Sequence, residues 1–325
     1  MEDSKLTPTA NEDLEGYLRA CRAEVESALD AWLPTAPDSP ALAVEAMRYS
    51  LFAGGKRLRP TLTLAAADTI AGPATADSRS LVLPAACAME MIHTYSLIHD
   101  DLPAMDDDTL RRGRPTAHVV YGEGMAILAG DALLTEAFQV LTRWPRTDDP
   151  GVVGRKLRVA ERMALAAGAA GMVGGQVLDL HAAGQISTPG TSTVADAQQL
   201  TAEELRRMHE RKTGALMRAA AVAGAIMVGA SDTEADAVDA YARELGLGFQ
   251  IIDDILDVEG AADQLGKTAG KDAAAGKPTY PSMFGLEESR HMAAASIRQA
   301  QAHLETASLA GPLIPLAEWV LARTH

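Results

Sequence analysis

Apolar residues recur at helical spacing along nearly the whole chain, over 14–33, 42–53, 58–70, 82–99, 126–141, 152–168, 171–181, 202–228, 234–257, 287–304 and 313–322. Breakers separate these runs: the prolines of 34–40, the segments 71–76 and 143–151, and the polar stretch 184–195. No alternating run of strand length competes with them. No repeat of solenoid period and no long linker divides the chain. The pattern predicts one all-α domain over 1–325, with the polar residues 1–12 flexible. The longest uncharged apolar stretches, 163–178 and 219–230, fall short of the roughly 18–20 residues that span a bilayer and are expected to be core helices.

Two of the predicted helices run directly into aspartate clusters, Asp100-Asp101-Leu102-Pro103-Ala104-Met105-Asp106 and Asp253-Asp254-Ile255-Leu256-Asp257. Asp253 and Asp257, at i and i+4, lie about 40° apart around a helix and roughly 6 Å apart along it, so they share a face. Carboxylates so placed repel one another unless a cation lies between or above them. Hard oxygen donors suit Mg²⁺ or Mn²⁺ that keeps waters and completes its shell with phosphate. In the first cluster Pro103 should end or distort the helix. Spacing alone therefore leaves open which of Asp101, Asp106, Asp107 and Asp108 join Asp100.

Basic residues follow where a polyphosphate would need them. Arg111 and Arg112 come a few residues after the first cluster, and guanidinium forks bind phosphate oxygens in bidentate fashion. Upstream, Gly54-Gly55-Lys56-Arg57-Leu58-Arg59-Pro60 joins backbone that can approach a ligand closely to three cations in four residues. Lys212, Lys267 and Lys277 lie around the second cluster. Surface salt bridges and an ordinary helix cap are the plain alternatives for these segments.

These cations matter because the chain as a whole is acidic, with a net charge of −15. Nucleic acid and anionic membranes would be repelled on average, so neither a nucleic-acid partner nor a stable membrane association is expected. Only Cys21 and Cys87 are present, without metal-ligand spacing, and residues 1–13 lack the basic-then-apolar pattern of a secretion signal. A cytoplasmic location is the expectation.

Taken together, GGKRLRP, HTYSLIHDDLPAMDDDTLRRGRPTAH, GGQVLDL, KTGAL and GFQIIDDILDVEG, in that order from Leu42 to about Phe284, resemble the trans-isoprenyl diphosphate synthase family. The spacing of the first aspartate motif is most similar to that of bacterial farnesyl diphosphate synthases. The resemblance implies a single bundle of long antiparallel helices around a central cavity, a homodimer, and two aspartate motifs facing each other across the mouth. It implies that Asp100, Asp101, Asp106, Asp253, Asp254 and Asp257 hold about three Mg²⁺ ions, which Mn²⁺ can replace, on an allylic diphosphate. Arg111, Lys212 and Lys267 complete that clamp, with Lys277 nearby. Gly55, Lys56, Arg59, His93 and Arg112 would hold isopentenyl diphosphate. Thr213 and Gln250 would turn oxygen dipoles toward the allylic cation, and Gln176 and Asp179 would line the same space.

Tyr95, with Ser96 one turn before Asp100, would set product length, and an aromatic residue at this place implies farnesyl diphosphate. Geranyl and geranylgeranyl diphosphate are the alternative products. A terpene cyclase would not need the GGKRLRP segment or Arg112, and a non-catalytic subunit would be expected to have lost ligands that this chain keeps. The basic C-terminal tail of many eukaryotic relatives is absent, which removes the expectation that terminal cations close the site.

Overall fold

The computed structural model describes residues 8–186, 200–263 and 279–323. The described residues are overwhelmingly helical. The helices are α1 (Pro8–Trp32), α2 (Ala41–Leu51), α3 (Leu58–Ala71), α4 (Ala76–Asp100), α5 (Ala117–Tyr121), α6 (Glu123–Arg143), α7 (Pro150–Ala167), α8 (Met172–Ala182), α9 (Ala202–His209), α10 (Ala215–Met227), α11 (Asp232–Asp263), α12 (Tyr280–Phe284), α13 (Leu286–Thr306) and α14 (Leu313–Leu321). A two-residue ladder, β1 (Leu110–Arg111) and β2 (Arg114–Pro115), is the only sheet among them. Contacts group the chain into two compact units, Met1–Ala160 with Ala220–Ala230, and Glu161–Ala219 with Ser231–His325.

In the first unit α4 is the central helix. A reciprocal capping box between Thr75 and Ser78 starts it. Its buried residues, among them Val82, Ala85, Ala86, Cys87, Ala88, Met89, Met91 and Ile92, surround the axis rather than forming one stripe, as expected of a helix packed on several sides. It lies against α3 and α6. Each large side chain so buried contributes roughly 1.5–3 kcal/mol of transfer free energy. The helix ends at Asp100, with Asp101 as its C-cap, two residues before Pro103. The break predicted at the proline is therefore present.

The second unit is organised by α11 against α13. Leu247, Ile251, Ile252 and Ile255 of α11 pack with Leu205 and Met208 of α9 and with Tyr280. Tyr241 is fully buried, and its hydroxyl donates to the Leu313 carbonyl at 2.6 Å.

Three features depart from the periodicity. The single helix expected over 202–228 is interrupted by a π-helical turn, Glu210–Gly214. At this turn α8 comes so close that a β-carbon on Gly175 would overlap the backbone of Lys212. The short α5 and α12 carry too few residues to show a period. Finally, α4, α6 and the span Pro150–Ala182 are long and apolar enough, by length and composition, to cross a membrane once a few charges are allowed, a wider criterion than uncharged runs. Of the α4 window, 78% is buried inside the protein.

Candidate functional site

In the first unit the chain beyond α4 folds back on the helix end. The amide of Asp106 donates to the Asp100 carbonyl at 2.9 Å, that of Asp107 to Leu102 at 3.1 Å, and that of Asp108 to Asp101 at 3.1 Å. Spacing left the partner of Asp100 open; these bonds bring Asp106 back beside it. Asp107, at φ 50°, points its exposed side chain elsewhere. Carboxylates at a helix C-terminus oppose the macrodipole, so this end needs positive charge. Arg111 supplies part of it.

Arg111 Nε donates to Asp101 Oδ1 at 2.7 Å, and its Nη2 lies 2.6 Å from the same oxygen and 3.8 Å from Asp108 Oδ2. Asp101 is buried, and burial raises its pKa while Arg111 opposes the rise. The sequence expectation counted Asp101 among the metal ligands and Arg111 with the diphosphate. Here the two hold each other, and Asp100 and Asp106 remain the half-buried carboxylates of the cluster. Arg111 is carried by the β1–β2 hairpin, whose two turn residues, Arg112 and Gly113, both have positive φ, as a tight two-residue hairpin requires.

The same turn aims Arg112 at the glycine segment. Its Nη1 donates to the Gly54 carbonyl, and a β-carbon on Gly55 would collide with the guanidinium. Around this point lie half-buried Arg59, exposed Lys56 and half-buried His93. The pKa of His93 is well below the usual histidine value, first through burial and then through the positive fields of Arg59, Arg112, Arg111 and Arg57. A neutral imidazole amid several guanidiniums is an anion-binding arrangement. Arg57, one of the three cations in four residues, is different. It is buried, donates to Glu90 Oε1 and to the Leu51 carbonyl, each at 2.7 Å, and is a structural ion pair.

One turn before His99 on α4, Tyr95 is buried with its ring edge-on to the His99 imidazole. Ser96 Oγ donates to the His93 carbonyl at 2.8 Å.

In the second unit Asp253 is exposed, Asp254 buried and Asp257 half-buried. Two of the partners of Asp254 are neutral donors. Gln250 Nε2 gives it a hydrogen bond at 3.0 Å, and the Tyr280 amide another at 3.0 Å. Thr213 Oγ1 in turn donates to Gln250 Oε1 at 3.0 Å. Thr213 and Gln250, expected to aim dipoles at a carbocation, and Asp254, expected to be a metal ligand, are thus joined in a chain of hydrogen bonds running from the π turn into α11. Lys212 Nζ reaches Asp179 Oδ2 at 2.5 Å. Gln176, one turn before Asp179 on α8, is buried, and neither of its amide atoms has a hydrogen-bond partner among the described residues. His209 lies 4.0 Å from Asp254, and burial lowers its pKa to about 4 although Asp179 pulls it up. Lys267 and Lys277 lie outside the described residues.

The sequence reading missed Arg323. Its guanidinium sits 4.0 Å above the Phe249 ring and 3.6 Å from Asp253 Oδ1, so a cation near the C-terminus does reach the second cluster. Nothing local could have revealed this, because the partners are about 70 positions apart in sequence.

Among the described residues no three His, Cys, Asp or Glu side chains converge to cage a metal alone. The exposed and half-buried donors are all carboxylate oxygens, which fits a hard cation whose remaining ligands come from water and phosphate.

Residues 40–309 match the polyprenyl synthetase family. The chain is 44% identical over 313 residues to a farnesyl diphosphate synthase of Geobacillus stearothermophilus, covering 96% of this chain and 98% of that one. It is 45% identical to a heterodimeric geranylgeranyl pyrophosphate synthase large subunit of Arabidopsis thaliana, covering 96% and 80% of the two chains. An FPP/GFPP synthase structure from Zymomonas mobilis superposes with a TM-score of 0.78 at 36% identity, over 95% of this chain and 99% of that one. The helical fold, the ordered motifs and these similarities agree: the chain is a member of the polyprenyl synthetase family of trans-prenyl diphosphate synthases, a prenyltransferase of isoprenoid biosynthesis.

Proposed function

We propose that the chain condenses isopentenyl diphosphate head-to-tail with dimethylallyl and then geranyl diphosphate, giving farnesyl diphosphate. One observation carries the two-substrate reading. The first unit holds an aspartate cluster and, separately, a cationic cradle of Lys56, Arg59, His93 and Arg112 against the Gly54–Gly55 backbone. A cyclase, which ionises a single diphosphate, has no use for the second.

The outer carboxylates, Asp100 and Asp106 in one cluster and Asp253 and Asp257 in the other, are assigned to the Mg²⁺ ions that the family implies. Held there, Mg²⁺ would supply positive charge for the departing allylic diphosphate. Asp101 and Asp254, fixed from behind by Arg111 and by Gln250 with the Tyr280 amide, set the angle at which their neighbours are presented. Lys212, steadied by Asp179, adds a cation beside the second cluster, and Lys267 is assigned with it.

The cradle holds isopentenyl diphosphate while its double bond attacks the allylic carbon. The allylic C–O bond breaks, a C–C bond forms, and the proton lost from the adduct goes to the released diphosphate. Gln176, whose amide has no hydrogen-bond partner among the described residues, is assigned to the substrate. Tyr95 is assigned to the end of the growing chain, with Ser96 beside it. Geranylgeranyl diphosphate is the second reading, because a relative named for that product is as similar as one named for farnesyl diphosphate. A homodimer in the cytoplasm completes the proposal.

The deciding experiment incubates the protein with isopentenyl diphosphate, Mg²⁺ and each allylic primer in turn, and sizes the products. Farnesyl diphosphate as main product is expected. Failure to condense with any primer overturns the assignment, and a longer main product selects the second reading.

A further inference from the structure

The assigned floor residue is itself held in place by a side chain to which the reaction gives no work. α4 and α6 cross tightly at Gly130, and His99 fills the crossing. A β-carbon on Gly130 would overlap the imidazole at Nε2, Cδ2 and Cε1. Nε2 lies 3.1 Å from the Ile127 carbonyl oxygen and 3.9 Å from Asp131 Oδ1, both on α6. A ring nitrogen facing a carbonyl oxygen must carry the hydrogen, so the partner fixes which nitrogen is protonated. His99 and Tyr95 are i+4 and i on α4 and share a face. Their ring centroids are 5.6 Å apart with planes at 78°, an edge-to-face contact. The imidazole is thus bonded to one helix and braced on the aromatic ring of the other.

We propose that His99, wedged against Gly130, is a positioning residue for product length: it fixes the Tyr95 ring, and through that ring the depth to which a prenyl chain can grow. The inference rests on the prenyltransferase reading above. Two routes unseat the ring. His99→Ala removes the brace, and Gly130→Ala displaces the imidazole from the α6 side without altering α4.

The experiment sizes products of the wild type, the two variants, Tyr95→Ala, and the double variant Tyr95→Ala/His99→Ala, with folding checked by circular dichroism. His99→Ala should raise the fraction of products longer than the wild-type main product by about threefold or more, and Gly130→Ala should shift the distribution in the same direction. In the Tyr95→Ala background the His99 change should add little, because residues acting through one group are not additive. Folded, condensing variants that keep the wild-type distribution would overturn the proposal. So would an undiminished His99 effect in the Tyr95→Ala background. A wild type that condenses nothing would overturn the underlying reading instead.

Discussion

The first aspartate cluster hangs from the end of a helix, whereas the second is built into the middle of one. At the C-terminus of α4 the macrodipole adds to the repulsion among carboxylates, and the inner aspartate is held by a charged partner, Arg111. Within α11 the dipole ends are remote, and the inner aspartate is held by a side-chain amide and a backbone N–H. The outer carboxylates of the first cluster are brought together by turn hydrogen bonds, those of the second by helical spacing. Two pairs of outer carboxylates are thus reached from two backbones. In each cluster the residue between them is buried and hydrogen-bonded.

The comparison breaks first if the outer carboxylates are not the working ones. Asp100→Ala and Asp253→Ala should each lower kcat by about a thousandfold, roughly 4 kcal/mol of transition-state stabilisation, with little change in the denaturation midpoint. Steady-state kinetics across a Mg²⁺ titration would check this. A drop below tenfold in either would remove that residue from the assignment.

The inner aspartates should separate next, by stability. Asp254→Ala strands two donors in the interior and should cost about 2–4 kcal/mol. Asp101→Ala leaves Arg111, whose side chain is about one-third exposed, able to turn to water, and should cost about 1 kcal/mol. Equal losses in urea denaturation would erase the distinction between the two inner aspartates.

The support of the second cluster should also respond to acid through His209. Its folded pKa of about 4 lies below the ordinary 6.5, so the unfolded chain takes up the proton first as pH falls. Stability present above pH 6.5 is therefore lost progressively down to pH 4, by about 3 kcal/mol in all. His209→Asn should flatten that part of the stability curve. An unchanged slope between wild type and variant would show that His209 is not responsible.

The smallest effect is expected at Arg323. Removing its charge beside Asp253 with Arg323→Gln should lower the Mg²⁺ concentration for half-maximal rate by about two- to fivefold, well under 1.4 kcal/mol. A higher Mg²⁺ requirement would mean that the guanidinium aids metal binding instead of competing with it.

The long helices were legible as apolar stretches of helical length set off by breakers, whether the apolar residues form one face or, as in α3 and α4, surround the axis. Segments expected over 58–70, 171–181 and 313–322 appear as Leu58–Ala71, Met172–Ala182 and Leu313–Leu321. The hairpin, α5 and α12 carry too few residues to show a period and could not be read that way. The aspartate clusters stood out because charge follows an apolar run, yet which members face outward depends on partners elsewhere. Arg57 and Arg59 look alike in the sequence; Glu90, buried on α4, is what makes the first structural. Similarly, Asp254 is singled out by Tyr280, which lies 26 positions further along the chain.

The π turn at Glu210–Gly214 has a consequence for how this chain can change. It holds one residue more than an α-helical path would need, so the faces of α9 and α10 are out of phase. Deleting one residue there would restore an unbroken helix and improve its local hydrogen bonding. It would also rotate everything on one side by roughly 100°, carrying Lys212 away from Asp179 or the apolar face of α9 away from α11. A single-residue deletion that favours the helix would therefore cost one of these two packings.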